Sequence, residues 1–297
     1  MFLSTELTAA VELVLKHGGV FDGPVQVAGR VASGLTETMR LRSGDRSWFL
    51  KCQQAERYPR MLQLEALALR SIGATSTVHV PRVLGSGLSG GQQFLVLEWI
   101  QPGPDTAQAH ARLGRQLARL HRTTAGTFGQ DYDNYIGTLV QRNDRRDNWT
   151  DFFTAMRLEP LLQTADEKGL IDRSMRAEFD AFISSLDRLY PKEPPALLHG
   201  DLWNGNFLVA PGGDPVLVDP AIYYGHREMD LAMSVLFGEF GPEFYDAYQE
   251  EYPLEKGWRE RLEFWNLYPR LVHLILFGRG YLPGIRSSLE AVIARLA

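Results

Sequence analysis

A stretch in the second half of the chain alternates short apolar runs with acidic, amide and glycine residues, and it constrains the fold more than any other. The run Ala196-Leu197-Leu198 leads into His199-Gly200-Asp201-Leu202-Trp203-Asn204-Gly205-Asn206. A short apolar run bounded by turn residues is typical of a buried strand, so this run would deliver Asp201 to the rim of a cleft, where Gly200 eases the tight turn. Gly205 lets the backbone double back, which turns Asn206 toward the same cleft.

A second acidic residue follows at the end of a predicted β-hairpin. Phe207-Leu208-Val209 and Val216-Leu217-Val218 are strand-like runs, and Pro211-Gly212-Gly213-Asp214 between them indicates a turn. The second strand leads directly to Asp219. An Asp carboxylate and an Asn amide leave the rest of a metal shell to phosphate oxygens and water, which suits Mg²⁺. The pattern therefore predicts that Asn206 and Asp219 bind Mg²⁺, with ATP as the source of the phosphates.

An Asp five positions before an Asn, followed by a second Asp, is the arrangement with which kinases accept a hydroxyl proton and hold Mg²⁺. In this chain Asp201 would be the catalytic base, a role worth roughly 10²- to 10⁴-fold in rate. Each of these residues taken singly is also a common turn residue. Their joint spacing, with an apolar strand beside each acidic residue, favours phosphoryl transfer.

A kinase fold also needs a β-rich lobe with a glycine loop and a strand-borne lysine ahead of this stretch. Strand-like runs at 25–30 and 36–42 flank a loop that contains Gly34, and the run at 47–51 ends on Lys51. The loop lacks the third glycine of the protein-kinase pattern, so its position before Lys51 is the reason to assign it to nucleotide binding.

The next segment predicts a helix that carries a partner for Lys51. Between Arg60 and Ser71, apolar residues recur at helical spacing, with Glu65 among them. Glu65 would pair with Lys51 and orient its ammonium group onto the α- and β-phosphates of ATP. The alternative is that Lys51 caps a strand in solvent and that Glu65 lies on an exposed helix face.

An apolar strand at 93–100 runs into Gln101-Pro102-Gly103-Pro104, which resembles the hinge between two kinase lobes. The backbone of Glu98, Trp99 and Ile100 would meet the adenine edge. We expect residues 1–100 to form a nucleotide-binding lobe that ends in the hinge, and residues 101–297 to form a lobe with the catalytic loop and the substrate site. The expected fold class is α+β, a bilobal protein-kinase-like fold with a small antiparallel β-rich N-lobe and a larger, mainly helical C-lobe.

Composition excludes several classes of partner. The 297 residues suit about two domains, and an apolar content of 44% is ample for real cores. A net charge of −5, with no long block of Lys or Arg, argues against nucleic acid and anionic membranes as partners. The single cysteine, Cys52, fits a reducing compartment, and no apolar run approaches a membrane span. We therefore expect a cytoplasmic protein, and a monomer.

Two departures from protein kinases indicate a small acceptor. Protein kinases have an Arg where Gly200 stands, and a long activation segment follows their second Asp. Here the segment from Ala221 to Ala232 follows Asp219 almost at once and looks like the start of a helix. Since no room is left for a platform that binds a protein substrate, the acceptor should be a small molecule or a small modified group.

These residues closely resemble the fructosamine kinase (ketosamine-3-kinase) family. The resemblance rests on the stretch 199–206, on Asp219-Pro220-Ala221, and above all on Tyr223-Tyr224-Gly225-His226-Arg227-Glu228 followed by Asp230-Leu231-Ala232. It covers most of the chain, with further matching stretches at Phe128-Gly129, Tyr135-Ile136-Gly137, Asn148-Trp149-Thr150, Phe152-Phe153, Arg157-Leu158 and Leu236-Phe237-Gly238. The tyrosine-rich run separates this family from aminoglycoside and choline kinases.

The resemblance implies ATP-dependent phosphorylation of the O3 hydroxyl of a ketoamine, a ribulosamine, erythrulosamine or fructosamine adduct of an amine or lysine, and thereby release of the amine (deglycation). Near the chemistry in sequence, four residues offer aromatic faces and polar tips that suit a sugar and its cationic amine: Trp203, Tyr223, Tyr224 and His226. Each could equally be a packing residue. Asp230, at the start of a helix, should brace the backbone of the catalytic loop.

Two rival functions stay open at this point. One is a kinase of another small alcohol, similar to aminoglycoside or choline kinases. The other is a catalytically inactive nucleotide-binding scaffold on the same fold, against which the presence of Lys51, Asp201, Asn206 and Asp219 argues.

Overall fold

A computed structural model of the protein describes residues 3–21, 23–31 and 36–296. The helices are α1 (Thr5–His17), α2 (Met61–Ala74), α3 (Ala107–Leu120), α4 (Trp149–Phe152), α5 (Glu159–Glu167), α6 (Arg173–Ser185), α7 (Glu228–Leu236), α8 (Pro242–Glu251), α9 (Trp258–Trp265), α10 (Leu267–Phe277) and α11 (Leu282–Leu296). The strands are β1 (Gln26–Val31), β2 (Glu37–Ser43), β3 (Arg46–Gln54), β4 (Val83–Ser89), β5 (Gln92–Glu98), β6 (Asn134–Ile136), β7 (Leu139–Gln141), β8 (Ala196–Leu198), β9 (Phe207–Val209), β10 (Pro215–Leu217) and β11 (Tyr223–Gly225).

The chain divides into two compact units. The first, which we call the N-terminal unit, comprises Met1–Ala109 and Phe207–Pro220, and the second, the C-terminal unit, comprises His110–Asn206 and Ala221–Ala297. A cut at residue 100, as expected from the sequence, places 207–220 with the helical lobe instead. The difference arises because Leu217 N–H donates to the His79 carbonyl (3.0 Å) and Gly103 N–H donates to the Val209 carbonyl (2.7 Å).

The N-terminal unit contains an antiparallel sheet in the order β1-β2-β3-β5-β4. The strands predicted at 25–30, 36–42 and 47–51 correspond to β1, β2 and β3, and the helix predicted from Arg60 corresponds to α2, so these elements are confirmed. The antiparallel sheet is the small β-rich part of the predicted α+β fold.

Helix α1 covers this sheet and is not among the elements predicted from the sequence. The Ser4 side chain accepts a hydrogen bond from Leu7 N–H (3.1 Å) and caps the first turn. Leu7, Val11 and Leu15 follow at a spacing of four residues and are buried in one core with β-strand residues such as Leu50.

The predicted hairpin is also confirmed. β9 pairs antiparallel with β10 from Phe207 opposite Leu217 to Val209 opposite Pro215, and the Gly213 N–H donates to the Ala210 carbonyl in the turn (2.8 Å). The hairpin therefore ends two residues before Asp219 and sets the direction in which the chain enters it.

The C-terminal unit is mainly helical, as predicted, with two short strand pairs, β6–β7 and β8–β11. The segment from Ala221 to Ala232 begins differently from the expected helix, because Tyr223–Gly225 form β11 and α7 starts only at Glu228. Strand pairing across both sides explains this: Tyr223 pairs with Leu198, and the Tyr224 backbone forms two hydrogen bonds with Gly129 (2.8 and 2.9 Å).

Within the described ranges, no helix combines the length and the apolar character needed to cross a membrane.

A buried ion pair joins α7 to α9. The Glu228 carboxylate is 0% exposed and accepts hydrogen bonds from Arg261 Nε (2.9 Å), Arg261 Nη2 (2.6 Å) and Trp265 Nε1 (2.9 Å). Arg261 binds the carboxylate through two nitrogens, so the ion pair is bidentate. These hydrogen bonds, with the one from Trp265, offset the cost of removing the two charges from water.

Replacing Glu228 by Gln should lower the free energy of unfolding by about 3–5 kcal/mol, because it leaves the Arg261 cation buried without a counter-charge. Urea denaturation followed by tryptophan fluorescence measures the change. The matched control is Glu239→Gln, since the pair of Glu239 with Arg259 has both side chains 53% exposed and should be worth less than about 1 kcal/mol. Equal effects of the two substitutions would contradict this assignment.

Candidate active site

The predicted catalytic loop is held from behind by Asp230. Its Oδ2 accepts a hydrogen bond from His199 N–H (2.7 Å), and its Oδ1 accepts one from Gly200 N–H (2.9 Å). The His121 Nε2 lies 3.1 Å from the same Oδ2, and the His121 Nδ1 lies 2.8 Å from the Tyr248 hydroxyl. The structure thus confirms that Asp230 braces the loop backbone, and it shows His121 buried between Asp230 and Tyr248.

The charge on Asp230 is stabilised although the side chain is buried. Burial alone would raise the pKa of this carboxyl group, but the hydrogen bond and charge of His121, together with the backbone N–H of Gly200, hold the pKa below its ordinary value. The carboxylate therefore remains ionised and acts as a double acceptor for the loop.

Gly200 is required by the path of this loop. Its φ is +82°, in the region that favours glycine, and a Cβ placed on it would lie 2.1 Å from the Ala221 carbonyl oxygen. The Ala221 N–H also donates to the His199 carbonyl (2.9 Å), which keeps the two backbones close. An arginine at position 200, as in protein kinases, does not fit here.

Asp201 and Asn206 are in direct contact. Asn206 Nδ2 donates to the Asp201 side-chain Oδ2 and to the Asp201 backbone carbonyl, both at 2.9 Å, across a short 3₁₀ turn (Asn204–Asn206). This turn brings together the proposed base and the proposed metal ligand. Since the amide nitrogen of Asn206 is used in this way, its amide oxygen is the group that suits Mg²⁺.

In the N-terminal unit, Lys51 lies between two carboxylates. Its Nζ is 2.8 Å from Glu65 Oε1 and 2.6 Å from Asp219 Oδ1. The Lys51 side chain is buried, whereas that of Asp219 is 47% exposed, with the backbone at φ +55°. The predicted pairing of Lys51 with Glu65 is therefore present, and the alternative in which both residues lie in solvent is wrong. The contact of Lys51 with phosphate stays a prediction.

The ionisation of this trio follows from burial and charge. Burial alone would lower the pKa of Lys51, but Asp219 and Glu65 outweigh it and raise the pKa above its ordinary value. Burial, together with the negative charge of Asp219, raises the pKa of Glu65 to about 7, although the positive charge of Lys51 opposes the increase. Lys51 is therefore cationic at neutral pH, and Glu65 titrates at a pH of about 7.

Each predicted metal ligand, taken within its own unit, offers an oxygen atom of the kind that Mg²⁺ accepts, and the binding of one ion by both stays a prediction. Asp219 presents a half-exposed carboxylate and Asn206 an amide oxygen, which are hard oxygen ligands of the kind Mg²⁺ takes alongside phosphate and water.

One residue of the predicted hinge, Glu98, already forms hydrogen bonds within the protein. The Glu98 N–H donates to the Arg82 carbonyl (2.9 Å), and Glu98 Oε2 accepts from Arg82 N–H (3.1 Å). If the hinge binds adenine as predicted, the backbone donor would therefore be Trp99 or Ile100 instead of Glu98. The Trp99 ring itself packs on the Arg40 guanidinium at 4.6 Å. Gly34, the predicted glycine-loop residue, lies outside the described residues.

The four predicted substrate residues differ in accessibility. His226 is 0% exposed, its Nε2 lies 3.1 Å from the Pro191 carbonyl, and its ring packs on Trp265 (5.2 Å between centroids). Direct contact of His226 with substrate is thus a wrong prediction, because an aromatic cluster encloses the ring. Trp203 and Tyr224 are half-buried, and their contact with substrate stays a prediction.

Tyr223 is buried but lines a small pocket behind the catalytic loop. Its ring centroid lies 4.0 Å from the Arg157 guanidinium and 5.7 Å from the Phe152 ring centroid. The pocket is mostly apolar and is lined by Ile136, Gly200, Tyr223, Met229, Asp230, Met233, Tyr268, Pro269, Val272 and His273.

Arg157 is a buried hydrogen-bond donor to which the sequence analysis assigned no role. It is fully buried, donates to Asn143 Oδ1 (2.7 Å) and to the Arg142 carbonyl, and stands on a π-helical segment (Phe153–Leu158). π-Helical turns often occur at functional sites. The only sequence signal is the Arg157-Leu158 pair, which carried no assigned role.

The sheet, the helical unit and the braced Asp-Asn loop together define a protein-kinase-like phosphotransferase fold. The family model for fructosamine kinase matches residues 21–295. A probable ketoamine kinase of Enterococcus faecium is 40% identical over 262 residues, which cover 88% of this chain and 92% of that protein. The chain therefore belongs to the fructosamine kinase family.

Solved structures agree with this assignment. A Thermobifida fusca protein, named provisionally as a fructosamine-3-kinase, has a TM-score of 0.87 at 34% identity, over 97% of this chain and 98% of that chain. An aminoglycoside phosphotransferase has a TM-score of 0.64 at 15% identity, over 96% and 97% of the two chains, and shows the same fold. The family and its named relatives support a ketoamine kinase.

Replacing Asp230 by Asn should free the catalytic loop. The substitution keeps the size but places an amide NH₂ group where one of the two backbone N–H donors of the loop needs an acceptor. We expect the free energy of unfolding to fall by about 2–4 kcal/mol and the amide protons of His199 and Gly200 to exchange faster. Hydrogen exchange measured by mass spectrometry tests this, with the exposed Asp246→Asn on α8 as the control. Unchanged protection of the loop in Asp230→Asn would show that the brace is unimportant.

The raised pKa of Glu65 predicts a pH dependence of stability. The folded state holds this proton more tightly than the unfolded state, so stability is lost as the pH rises from the ordinary pKa of 4.5 through about 7. Over this range the wild type should lose stability relative to Glu65→Gln, which cannot titrate. Urea denaturation at a series of pH values measures the difference, with the exposed Glu56→Gln as control. A difference that does not change with pH would refute the assignment.

Proposed function

We propose that this protein is an ATP-dependent kinase of the O3 hydroxyl of ketoamines: ribulosamine, erythrulosamine or fructosamine adducts of amines and lysine. The observation that carries the proposal is the contact of Asn206 with Asp201 on a loop fixed by Asp230. Membership of the fructosamine kinase family supports the same proposal.

Asp201 acts as the base in this proposal. The hydrogen bond from Asn206 Nδ2 to Asp201 Oδ2 holds the carboxylate in one orientation. The carboxylate takes the proton of the acceptor hydroxyl while the hydroxyl oxygen forms a bond to the γ-phosphorus of ATP. At the same time, the bond between the γ-phosphorus and the β,γ-bridging oxygen breaks. ADP leaves with the electron pair of the broken bond, so charge and protons balance.

Lys51, Asn206 and Asp219 bind the nucleotide and its metal ion in this proposal. Glu65 orients Lys51 toward the α- and β-phosphates. Asn206 and Asp219 would hold Mg²⁺, and the ion would neutralise charge on the phosphates. The aminoglycoside phosphotransferase of the same fold was solved as a ternary complex with ADP and hygromycin B, which supports a nucleotide as cosubstrate.

Phosphorylation at O3 explains why such a kinase leads to deglycation. Once the ketoamine enolises toward C1, the phosphate on C3 becomes an allylic leaving group. Its departure as inorganic phosphate leaves an imine, which water hydrolyses to the free amine and a dicarbonyl sugar fragment. The enzyme thus supplies only the phosphoryl transfer, and the amine follows without a further catalyst.

We propose that the protein acts as a cytoplasmic monomer on these small acceptors, without nucleic acid or membrane as a partner. The net charge of −5 supports the exclusion of polyanionic partners. Cys52 is buried, and burial raises the pKa of its thiol to about 12, so the thiol is protonated and unreactive at neutral pH.

Replacing Asp201 by Ala should reduce turnover of ribulose-lysine by roughly 10²-fold or more, because the hydroxyl proton loses its acceptor. ADP release measures the rate, and calorimetry should show nearly unchanged affinity for Mg²⁺–ATP. Near-normal turnover in Asp201→Ala would falsify the role of the base.

A panel of acceptors tests the acceptor class: ribulose-lysine, an aminoglycoside, choline and free ribose. Turnover confined to one of the last three would overturn the ketoamine proposal.

A further inference from the structure

Five ring side chains of the C-terminal unit form a continuous series of contacts that begins in the catalytic loop and ends at the surface. Trp203 meets Phe237 at 5.8 Å between ring centroids, and Phe237 meets His273 at 4.4 Å. His273 then contacts Phe277 at 5.4 Å and Tyr281 at 5.1 Å. We call these five residues the aromatic platform.

The outer end of the platform is exposed. Phe277 is 59% exposed and is the one aromatic side chain among the large apolar residues that are strongly exposed in the described ranges. Phe237 and Tyr281 are half-buried. Burying an aromatic side chain is favourable, so an exposed ring that is connected to the catalytic loop by a series of ring contacts indicates a surface that a ligand covers.

The platform is fixed relative to the catalytic loop. Asn204, in the 3₁₀ turn after Asp201, donates from Nδ2 to the Gly238 carbonyl (2.9 Å), next to Phe237. His273 is fixed in turn, since its Nδ1 lies 2.7 Å from the Pro269 carbonyl. Because this turn contains Asn206 and directly follows the segment that carries Asp201, an acceptor held at Asp201 would extend onto a surface whose position is already set.

The charge of the platform suits a cationic ligand. Burial lowers the pKa of His273, so its ring is neutral at neutral pH and does not repel a positive charge. The faces of Trp, Tyr and Phe attract ammonium groups, and their area favours flat or apolar groups. A ketoamine supplies the cation, because three bonds separate C3 from a secondary amine that is protonated at neutral pH. The same amine carries the substituent that can be flat or apolar.

We propose that the aromatic platform binds the amine-derived part of the acceptor, and that Phe277 and Tyr281 select ketoamines whose amine carries a flat or apolar group. This inference rests on the proposed ketoamine kinase activity and adds the substrate class within it. Phe277 and Tyr281 are then specificity-determining residues that act on the affinity for the acceptor, at a distance from the hydroxyl that reacts.

Two ribulosamines that share the sugar and the charged nitrogen test the proposal: the adduct of benzylamine and the adduct of methylamine. The wild type should have the lower KM for the benzylamine adduct. In Phe277→Ala and Tyr281→Ala we expect that KM to rise about fivefold to tenfold, while the KM for the methylamine adduct changes less than twofold. Leu88→Ala, at an exposed apolar position on β4, is the control and should change neither KM.

The outcomes separate this inference from the proposed function. If the wild type phosphorylates both adducts but neither substitution changes the ratio of their KM values, the platform proposal is overturned and the kinase proposal stands. If the wild type phosphorylates neither adduct, the proposed function itself is wrong and the inference with it. If sedimentation shows a dimer that Phe277→Ala dissociates, with both KM values unchanged, the surface binds a second copy of the chain and the platform proposal is again overturned.

Discussion

The buried carboxylate of Asp230 is the interaction on which the candidate site depends. An ionised carboxylate without partners inside a protein is costly, and here it accepts hydrogen bonds from two consecutive backbone N–H groups, with His121 as a further partner. Those N–H groups belong to the two residues just before Asp201. The loop is thus positioned by a residue of α7, and the residues proposed to carry the chemistry are left to interact with ligands.

The start of α7 connects this brace to the rest of the C-terminal unit. Arg227 pairs with Glu193 in a bidentate arrangement (2.7 and 2.8 Å) and donates to two backbone carbonyls near residue 252. Glu228 pairs with Arg261, and Asp230 holds the catalytic loop. Three charged residues within four positions therefore join three remote segments, which explains why so short a helix is buried on most of its surface.

Several parts of this arrangement could be predicted from the sequence because they depend on local patterns. Apolar periodicity predicted β3, α2 and the β9–β10 hairpin. A lysine on a strand, followed by a glutamate on the next helix, predicted the ion pair of Lys51 with Glu65. The spacing of Asp201 and Asn206 predicted that the two would be close, and the 3₁₀ turn brings them into contact.

Other parts depend on partners remote in sequence and could not be predicted. His226 looks accessible beside two tyrosines, but Trp265, far along the chain, covers its ring. The short strand β11 forms because Leu198 and Gly129 offer backbone partners on its two sides, so the helical appearance of the segment misleads. The Glu98 N–H is likewise taken by Arg82, a bond that no local pattern reveals.

The central claim is that a braced Asp-Asn loop directs phosphoryl transfer to one hydroxyl of a ketoamine. The most direct measurement is ³¹P NMR of the product formed from ribulose-lysine and ATP, with proton correlation that identifies the carbon bearing the phosphate. The account predicts a single phosphate ester coupled to the proton on C3, followed by release of inorganic phosphate and lysine. A phosphate on any other oxygen of the sugar, or the absence of both an ester and released lysine, would contradict it.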